Sequence, residues 1–517
     1  MIAVSNGWRA AHNERLLPET FIKLSYNMTE PGLANDATAT GTNEEVFAET
    51  SEITDGLTKS PEYYASMEKN AWGLDGTIYC LNGNPSDPGY TTSTLCGANT
   101  NYATVPTVTV SFSKVHTILI PGITITWSSV ANEWASSFRV TAYNGNTMVA
   151  QKTVVDNTDV VSQVWVDLQN YNKIVVEVLS WSHPNHRCRI EELFLGIVEV
   201  YTKNNLLGYD HIESVDMLSA VLPKNEISFR LENSTGRWNP NNPTGAEKYL
   251  LEQQKIDALY GMRVGQKVEW IKAGTFWLSE WNTPSNGLEA TFKARDAITF
   301  MNVVYSGPRT GTLLEIATAA LDQSDLPVMP DGSIRFIVDG SLASQTTDFS
   351  EEDADYTIAD VLQMVAHMAC CIFYQDRDGL VRIEPRKAEL DDYVIDQFKS
   401  YAHPEFEISK PVKAVTVDYD YDHTEVVEVG VAGEVQAIAN PLIKTAEDAR
   451  KVANAAIAVL EGRKTLSGEY RADPSLCALD TVTVESKYDT NTVVVTEVKY
   501  STTGGALKGA YTGRVVG

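Results

Sequence analysis

Val108-Thr-Val-Ser-Phe112, Ile123-Thr-Ile-Thr-Trp127, Phe138-Arg-Val-Thr-Ala-Tyr143, Val149-Ala-Gln-Lys-Thr-Val-Val155, Val164-Trp-Val-Asp-Leu168, Lys173-Ile-Val-Val-Glu-Val-Leu179 and Cys188-Arg-Ile-Glu-Glu-Leu-Phe-Leu-Gly-Ile-Val-Glu-Val200 follow one another with short breaks. Each is rich in β-branched or aromatic residues, and Asn, Gly, Ser or Pro separates it from the next. That is the pattern of an antiparallel sandwich, and no helical period interrupts it. Before this run, residues 36–110 are polar and turn-rich, as in Asn82-Gly-Asn-Pro-Ser-Asp-Pro-Gly89, and residues 1–35 hold one β-like segment, Thr20–Tyr26.

Beyond Lys203 the texture changes. Ile227–Leu231 alternates and runs into the turn-rich stretch 233–245, after which the pattern predicts a short helix over Ala246–Gln254. Three strand-like segments follow, 264–271, 274–281 and 289–295, which together read as a small barrel. Thr312-x-x-Glu315 and Thr357-x-x-Asp360 are capping boxes, the second opening a helix with Ile358, Val361, Leu362, Val365 and Met368 on one face. Asp376-Arg-Asp-Gly379 between two apolar runs predicts a hairpin turn. Strands return at 414–421 and 424–430, a helix capped by Asp448 runs from Thr445 to Gly462, and three strands close the chain.

Of 517 residues, 43% are apolar and 21% charged, the ordinary globular range. The 68 acidic and 41 basic residues give a net charge of −27. A surface so negative repels phosphate and argues against sequence-specific nucleic-acid binding, while allowing a wall past which DNA slides. Neither a signal peptide nor an apolar run long enough to span a bilayer is recognised. The six cysteines form no C-x-x-C pair; Cys370-Cys371 reads as two small hydrophobes, and Cys80 and Cys96 flank a polar loop and could form a disulfide in an oxidising setting.

The common catalytic motifs are missing: there is no P-loop, dinucleotide fingerprint, nucleophile elbow or H-E-x-x-H. His183 and His186 beside Cys188 and Glu191 could be drawn as a metal site, but no second ligand cluster accompanies them, so an exposed polar loop is the preferred reading and no metal or other cofactor is expected. In a sandwich, successive connections alternate between the two ends. On that count Trp134, Asn157, Asp159, Trp181, His183 and Arg187 share one rim. Indole faces beside amide, acid and guanidinium groups suit a sugar, whose ring stacks while its hydroxyls need polar partners. The competing reading is that Trp134 and Trp181 fold back onto the core; Trp127, Tyr143 and Trp165 are expected inside it.

Two resemblances emerge. Residues 49–56, the block Tyr64-Ala-Ser-Met-Glu-Lys-Asn-Ala-Trp-Gly-Leu-Asp-Gly76, and the strands ending in Arg189-Ile-Glu-Glu-Leu193 resemble discoidin-like carbohydrate-binding modules, especially those inserted in bacteriophage tail proteins. Some such modules hold calcium near the equivalent of Ile53–Gly56, where only Asp55 matches here, so no metal is assigned. Residues 227–233, Trp238-Asn-Pro240, 274–280, 294–297, 356–362, 373–379, 440–443 and 470–474 resemble the baseplate-hub or tail-tip family of phages and phage-derived injection systems.

The resemblances imply a mainly β chain with α+β parts. Its expected units are a first hub β-barrel from 1–35 and 201–304, an inserted β-sandwich (jelly roll) over 36–200, an α/β domain over 305–404, and a second hub barrel over 405–517 carrying the helix 445–462. The implied molecule is a structural, non-enzymatic homotrimer at the distal end of a virion tail, made in the host cytoplasm. Its implied partners are the distal tail protein ring, tail tube proteins, the tape measure protein and host cell-surface polysaccharide; DNA would pass through without specific binding. Relatives often continue into a peptidase or lysozyme part, whereas this chain stops after the last barrel strands. The alternatives are a tail-associated cell-wall peptidase and a secreted glycan-active enzyme with a binding module.

Overall fold

The computed structural model describes residues 1–16, 18–55, 68, 89–283, 287–324, 326, 335–352, 354–386, 390–391, 393–503 and 506–516. Strands dominate, and most pair antiparallel. The largest sheet draws on both ends of the chain. Strand Thr20–Met28 lies between Ile197–Tyr201 and Lys255–Val264, with Met28 opposite Ile197. The sheet continues through Lys267–Asn282, Glu289–Arg295 and Lys224–Glu232 to Leu206–Ser214. There it crosses into the last part of the chain: Leu206–Ser214 pairs with Thr490–Thr503 from Gly208↔Thr503 to Ser214↔Glu497, and Ala506–Val515, Lys464–Arg471 and Glu405–Ile408 follow. The regions expected as two barrels are thus hydrogen-bonded to each other through one strand pair.

Residues 412–439 depart from expectation. Their strands Val412–Tyr419, His423–Glu428 and Glu434–Ala439 form a separate three-stranded sheet rather than joining the last strands. Val415 and Val417 are buried with Ala449, Val452 and Ala456 of helix Ala446–Leu460, in the same core as helices Leu313–Gln323 and Ile358–Ala369. Both capping boxes form, with Thr312 on Glu315 and Thr357 on Asp360. The expected helix over 246–254 is one 3-10 turn, Glu247–Tyr249, because the buried Gln254 side chain binds the carbonyls of Tyr249 and Thr29 and the chain then enters a strand at Lys255.

The junction of the two halves of the large sheet is filled by aromatic and polar side chains. Tyr209, Tyr260, Tyr470 and Tyr500 are buried there with His211. His211 Nδ1 lies 2.7 Å from the Tyr260 hydroxyl and Nε2 lies 2.9 Å from Asn225 Oδ1, so Nε2–H donates and Nδ1 accepts. Burial, helped by the nearby Arg377 charge, lowers this imidazole to about 4 and keeps it neutral. Arg377, at the tip of the expected hairpin, is itself buried. It donates to Glu213 at 3.0 Å, to Leu476 O at 2.8 Å and to Pro474 O. The other Glu213 oxygen accepts from Ala478 N at 3.0 Å.

Residues 37–195 supply most of a second body, whose five-stranded sheet (Ala37–Gly41, Thr107–His116, Tyr171–Trp181, Ala135–Asn144, Thr147–Val154) shares one core with Ile120–Thr126, Val161–Leu168 and Glu192–Phe194. It is seated on the large sheet's turn-rich segment by polar contacts. Lys248 Nζ lies 2.9 Å from Asp167, the Tyr249 hydroxyl donates to Asp167 at 2.5 Å, and the Arg237 guanidinium lies 5.4 Å from the Trp165 ring centroid. Trp165, expected in the core, is 39% exposed, because its strand presents that face to Arg237. At the entry to this body, His116 places both ring nitrogens 3.0 Å from carboxylates, Glu30 and Asp36.

Two predictions follow from these buried charges. Arg377→Ala leaves Glu213 buried without its cation and should cost about 3–5 kcal/mol, read by denaturant unfolding. An unchanged midpoint would show that the pair does not hold the junction. Asp296 caps the turn Ala297–Met301 through Ile298 N, and burial raises its carboxyl from 3.8 to about 7. Its favourable contribution is therefore complete below pH ~4 and is lost as pH rises through about 7. Asp296→Asn should raise Tm at pH ~8 and leave it nearly unchanged at pH ~4, measured by calorimetry at both.

Candidate functional site

Three loops of the inserted body meet at one end of its sheets. Ser182 N donates to Trp134 O at 2.9 Å, and the Asn157 side-chain amide donates to Ala135 O at 2.9 Å, so the 154–161 and 181–187 loops are each hydrogen-bonded to the 128–135 loop. The loops hold the expected rim residues in very different states. Trp181 is fully buried, its ring 6.0 Å from Trp127 at an interplanar angle of 84°. Its Nε1–H donates to Glu133 Oε2 at 2.7 Å. With no open face it cannot stack on a sugar in this conformation, which corrects its expected placement as a binding surface. The neighbouring Ala135–Trp181 strand pairing carries the side chain inward.

Asn157 is occupied by its own loop and by the 128–135 loop. Its amide nitrogen donates to Ala135 O and Asp159 O, at 2.9 and 3.1 Å, and its oxygen accepts from Asp159 N at 3.3 Å. Asp159 is exposed. Trp134 is half-buried, and its ring lies 6.5 Å from that of the exposed His183 in an edge arrangement. His183 in turn stacks on His186, 5.4 Å away at 24°. His186 is buried rather than part of an exposed loop, and its Nδ1 lies 2.6 Å from Glu133 Oε1. Glu133 thus links the buried indole and the buried imidazole beneath the exposed rings.

Arg187 continues the rim on the side of the 43–49 segment. Its Nε donates to Glu45 at 3.0 Å, and its backbone N–H donates to Glu68 at 2.9 Å. Glu68 is 2% exposed and also accepts from Arg189 Nη2 at 2.7 Å. Glu68 is the described residue of the quoted 64–76 block; the rest of that block, Gly56 and Cys80 lie outside the described residues, so the Cys80–Cys96 pairing and the calcium turn are left open. The Cys96 thiol donates to the His183 carbonyl at 3.1 Å. Among the described residues no group of His, Cys, Asp and Glu is arranged to hold a metal ion.

Glu45, Glu68 and Glu133 were not expected among the rim residues, and His186, expected in an exposed loop at this end, is buried there. Glu45 and Glu68 lie more than a hundred positions from Arg187 and share no spacing with it. Glu133, adjacent to Trp134, offered a local signal: a carboxylate in the same loop as an indole. Chemically, the arrangement offers a half-buried indole edge, exposed imidazole and carboxylate groups, and a partly exposed Arg187–Glu45 pair. That set supplies stacking together with donors and acceptors, but no nucleophile activated by a base.

No family model matches the chain, and no curated protein matches it. Among solved structures it is similar to the 43 kDa tail protein of prophage MuSo2 from Shewanella oneidensis, at 13% identity and a TM-score of 0.43, covering 61% of this chain and 94% of that one. It is also similar to the tail protein from Neisseria meningitidis MC58, at 10% identity and a TM-score of 0.44, covering 62% and 93%. A third, the family 32 CBM from C. perfringens NanJ in complex with galactose, is 17% identical with a TM-score of 0.21, covering 34% of this chain and 99% of that one. At such low identities and scores, nothing about function passes from them to this chain.

The burial pattern separates two kinds of variant. Trp181→Ala should destabilise the inserted body by about 3–5 kcal/mol through the cavity and the stranded Glu133. Trp134→Ala and His183→Ala should each change stability by about 1 kcal/mol or less. Thermal unfolding of the three proteins checks this, and equal losses in all three would contradict the burial described.

Proposed function

We propose that the chain is a structural component of a phage tail tip: a trimeric hub that joins the tail tube to the host-contact apparatus and contributes glycan binding through its inserted body. The observation that carries this reading is the split of the large sheet. Strand Thr20–Met28 is completed by Ile197–Tyr201 and Lys255–Val264, so the intervening body leaves and re-enters the sheet at adjacent strands. Such a body is an accessory carried by a framework, and the framework can be conserved in shape while the accessory varies. The resemblance of 227–297 and 356–474 to hub proteins supports the framework's role. The negative charge suits a conduit for DNA, because like charge removes the counterion-release gain of binding.

Glycan binding rests on the ring and polar groups at the rim: Trp134, His183, Asp159 and the Arg187–Glu45 pair. Trp181 and Asn157 serve this reading by fixing the loops, one from the core and one through its own hydrogen bonds. No catalytic step is assigned. Mass photometry with negative-stain imaging of the purified chain should show a trimer with an open centre, alone or on added tail tube. A monomer under both conditions overturns the hub reading. Binding to host surface polysaccharide should fall at least tenfold in Trp134→Ala and His183→Ala. Parental binding by both variants would remove the rim from the proposal.

A further inference from the structure

Two sheet faces of this chain carry no covering layer among the described residues, and they differ in charge. The first belongs to the small sheet of residues 412–439. Val415 and Val417 pack against helix Ala446–Leu460, and Ile438 shares their core. Alternation puts the intervening residues on the opposite face, where the register sets Val426–Thr416–Ala437 in one row, with Glu428 and Val435 in the row on one side and Asp418 in the row on the other. On the two flanking strands this face is exposed throughout, Val426 by 54%. Asp418 accepts from Thr424 Oγ1 at 2.8 Å, and neither Asp418 nor Glu428 is ion-paired among the described residues. No basic side chain stands in these rows.

The second lies on the outer side of the large sheet. Ile22, Leu24, Tyr260 and Met262 are buried on its inner side. The register then sets Phe21–Gly261–Trp270 in one outer row and Lys23–Leu259–Lys272 in the next. Gly261 has no side chain and Trp270 lies across it, so that a Cβ there would stand 2.8 Å from the indole. The indole is 42% exposed, and its ring centre lies 6.2 Å from that of Phe21. Lys203 Nζ and Arg263 Cζ each lie 5.3 Å from the Phe21 ring centre. These two cations share Glu19, Lys272 is met by Asp378, and Lys23 has no carboxylate partner among the described residues. The face thus keeps a positive excess in a chain whose net charge is −27. An outer sheet face with Phe, Leu and Trp in place of polar residues is the composition of a contact surface.

We infer that these two faces bind each other between copies of the chain: the basic, aromatic face of one copy packs on the acidic, apolar face of the next. The inference rests on the trimeric hub reading and gives that trimer its contact. Copies that are each strongly negative repel one another, so association needs opposite charges brought together at the point of contact. Trp270 and Phe21 among cations, set against Val426 and Ala437 between Glu428 and Asp418, meet that need, and two flat sheet faces stack as sheets do in a sandwich. Because the faces differ, the contact is head-to-tail, and each copy uses both of its faces when the ring closes.

Sedimentation of the full chain, with and without added tail tube, tests this. Trp270→Glu and Val426→Glu each alter one exposed side chain, and each should weaken self-association about tenfold or more. Lys23→Glu, on the same face as Trp270, should act in the same direction and keeps the test decisive if Trp270→Glu does not fold; circular dichroism checks all three. Trp270→Glu retains a sound acidic face and Val426→Glu a sound basic one. An equimolar mixture of the two at high concentration should therefore form one-to-one pairs that neither forms alone. Trimers persisting in all the folded variants, or a mixture without pairs, overturn the inference and leave the hub reading standing. A parent chain that stays monomeric even on tail tube overturns both.

Discussion

Arg377 places a permanent positive charge where water does not reach, and two distant segments are arranged around it. Glu213 comes from a strand of the large sheet, and the Pro474 and Leu476 carbonyls from the loop before the last strands. A guanidinium in that position is tolerated only when its donors are matched, so the hairpin tip, the strand and the loop must be in register together. The same group lies 5.9 and 5.7 Å from the ring centres of Tyr260 and Tyr500, and its charge helps keep His211 neutral. The core beside it is consequently polar and held together by hydrogen bonds through His211, Tyr260 and Tyr500, as a junction between two sheet halves with one allowed alignment requires.

The inserted body is held by a different kind of contact. His116, held between Glu30 and Asp36 at the entry to the body, is buried, while Asp167 with Lys248 and Tyr249 and Trp165 with Arg237 are polar and partly exposed. Contacts of this sort fix orientation while contributing modestly to stability. The framework and the accessory are thus joined more loosely than the two halves of the framework are joined to each other.

Local signals were legible in the sequence wherever neighbours in the chain decide the outcome. Thr312–Glu315 and Thr357–Asp360 act within one helical turn, and Asp376–Gly379 within one hairpin, so their spacing suffices. The strands of the inserted body were legible for the same reason. Long-range pairing was not. Nothing in Ala414–Tyr421 distinguishes a strand of the large sheet from one that packs on helix Ala446–Leu460. At the rim, counting connections brought the right loops together, but Trp181 and Trp165 exchanged expected roles. Periodicity says which side of a strand an indole occupies, and only the tertiary neighbour, Trp127 or Arg237, says whether that side is core or seat. Glu68 and Glu45 carried no signal at all, since their meaning depends on an arginine far along the chain.

The adjacency of Met28 and Ile197 has a consequence for how the chain reaches its native state. Strand Thr20–Met28 emerges from the ribosome well before either of its partners, with the whole inserted body made in between. Closing so long a flexible loop would cost entropy that grows with the logarithm of its length. If the inserted body folds first, its two ends are already neighbours and the effective loop shrinks to a few residues. Synthesis order therefore favours accessory before framework. A defect in the packing of Trp127 and Trp181 would delay the large sheet, though neither residue belongs to it.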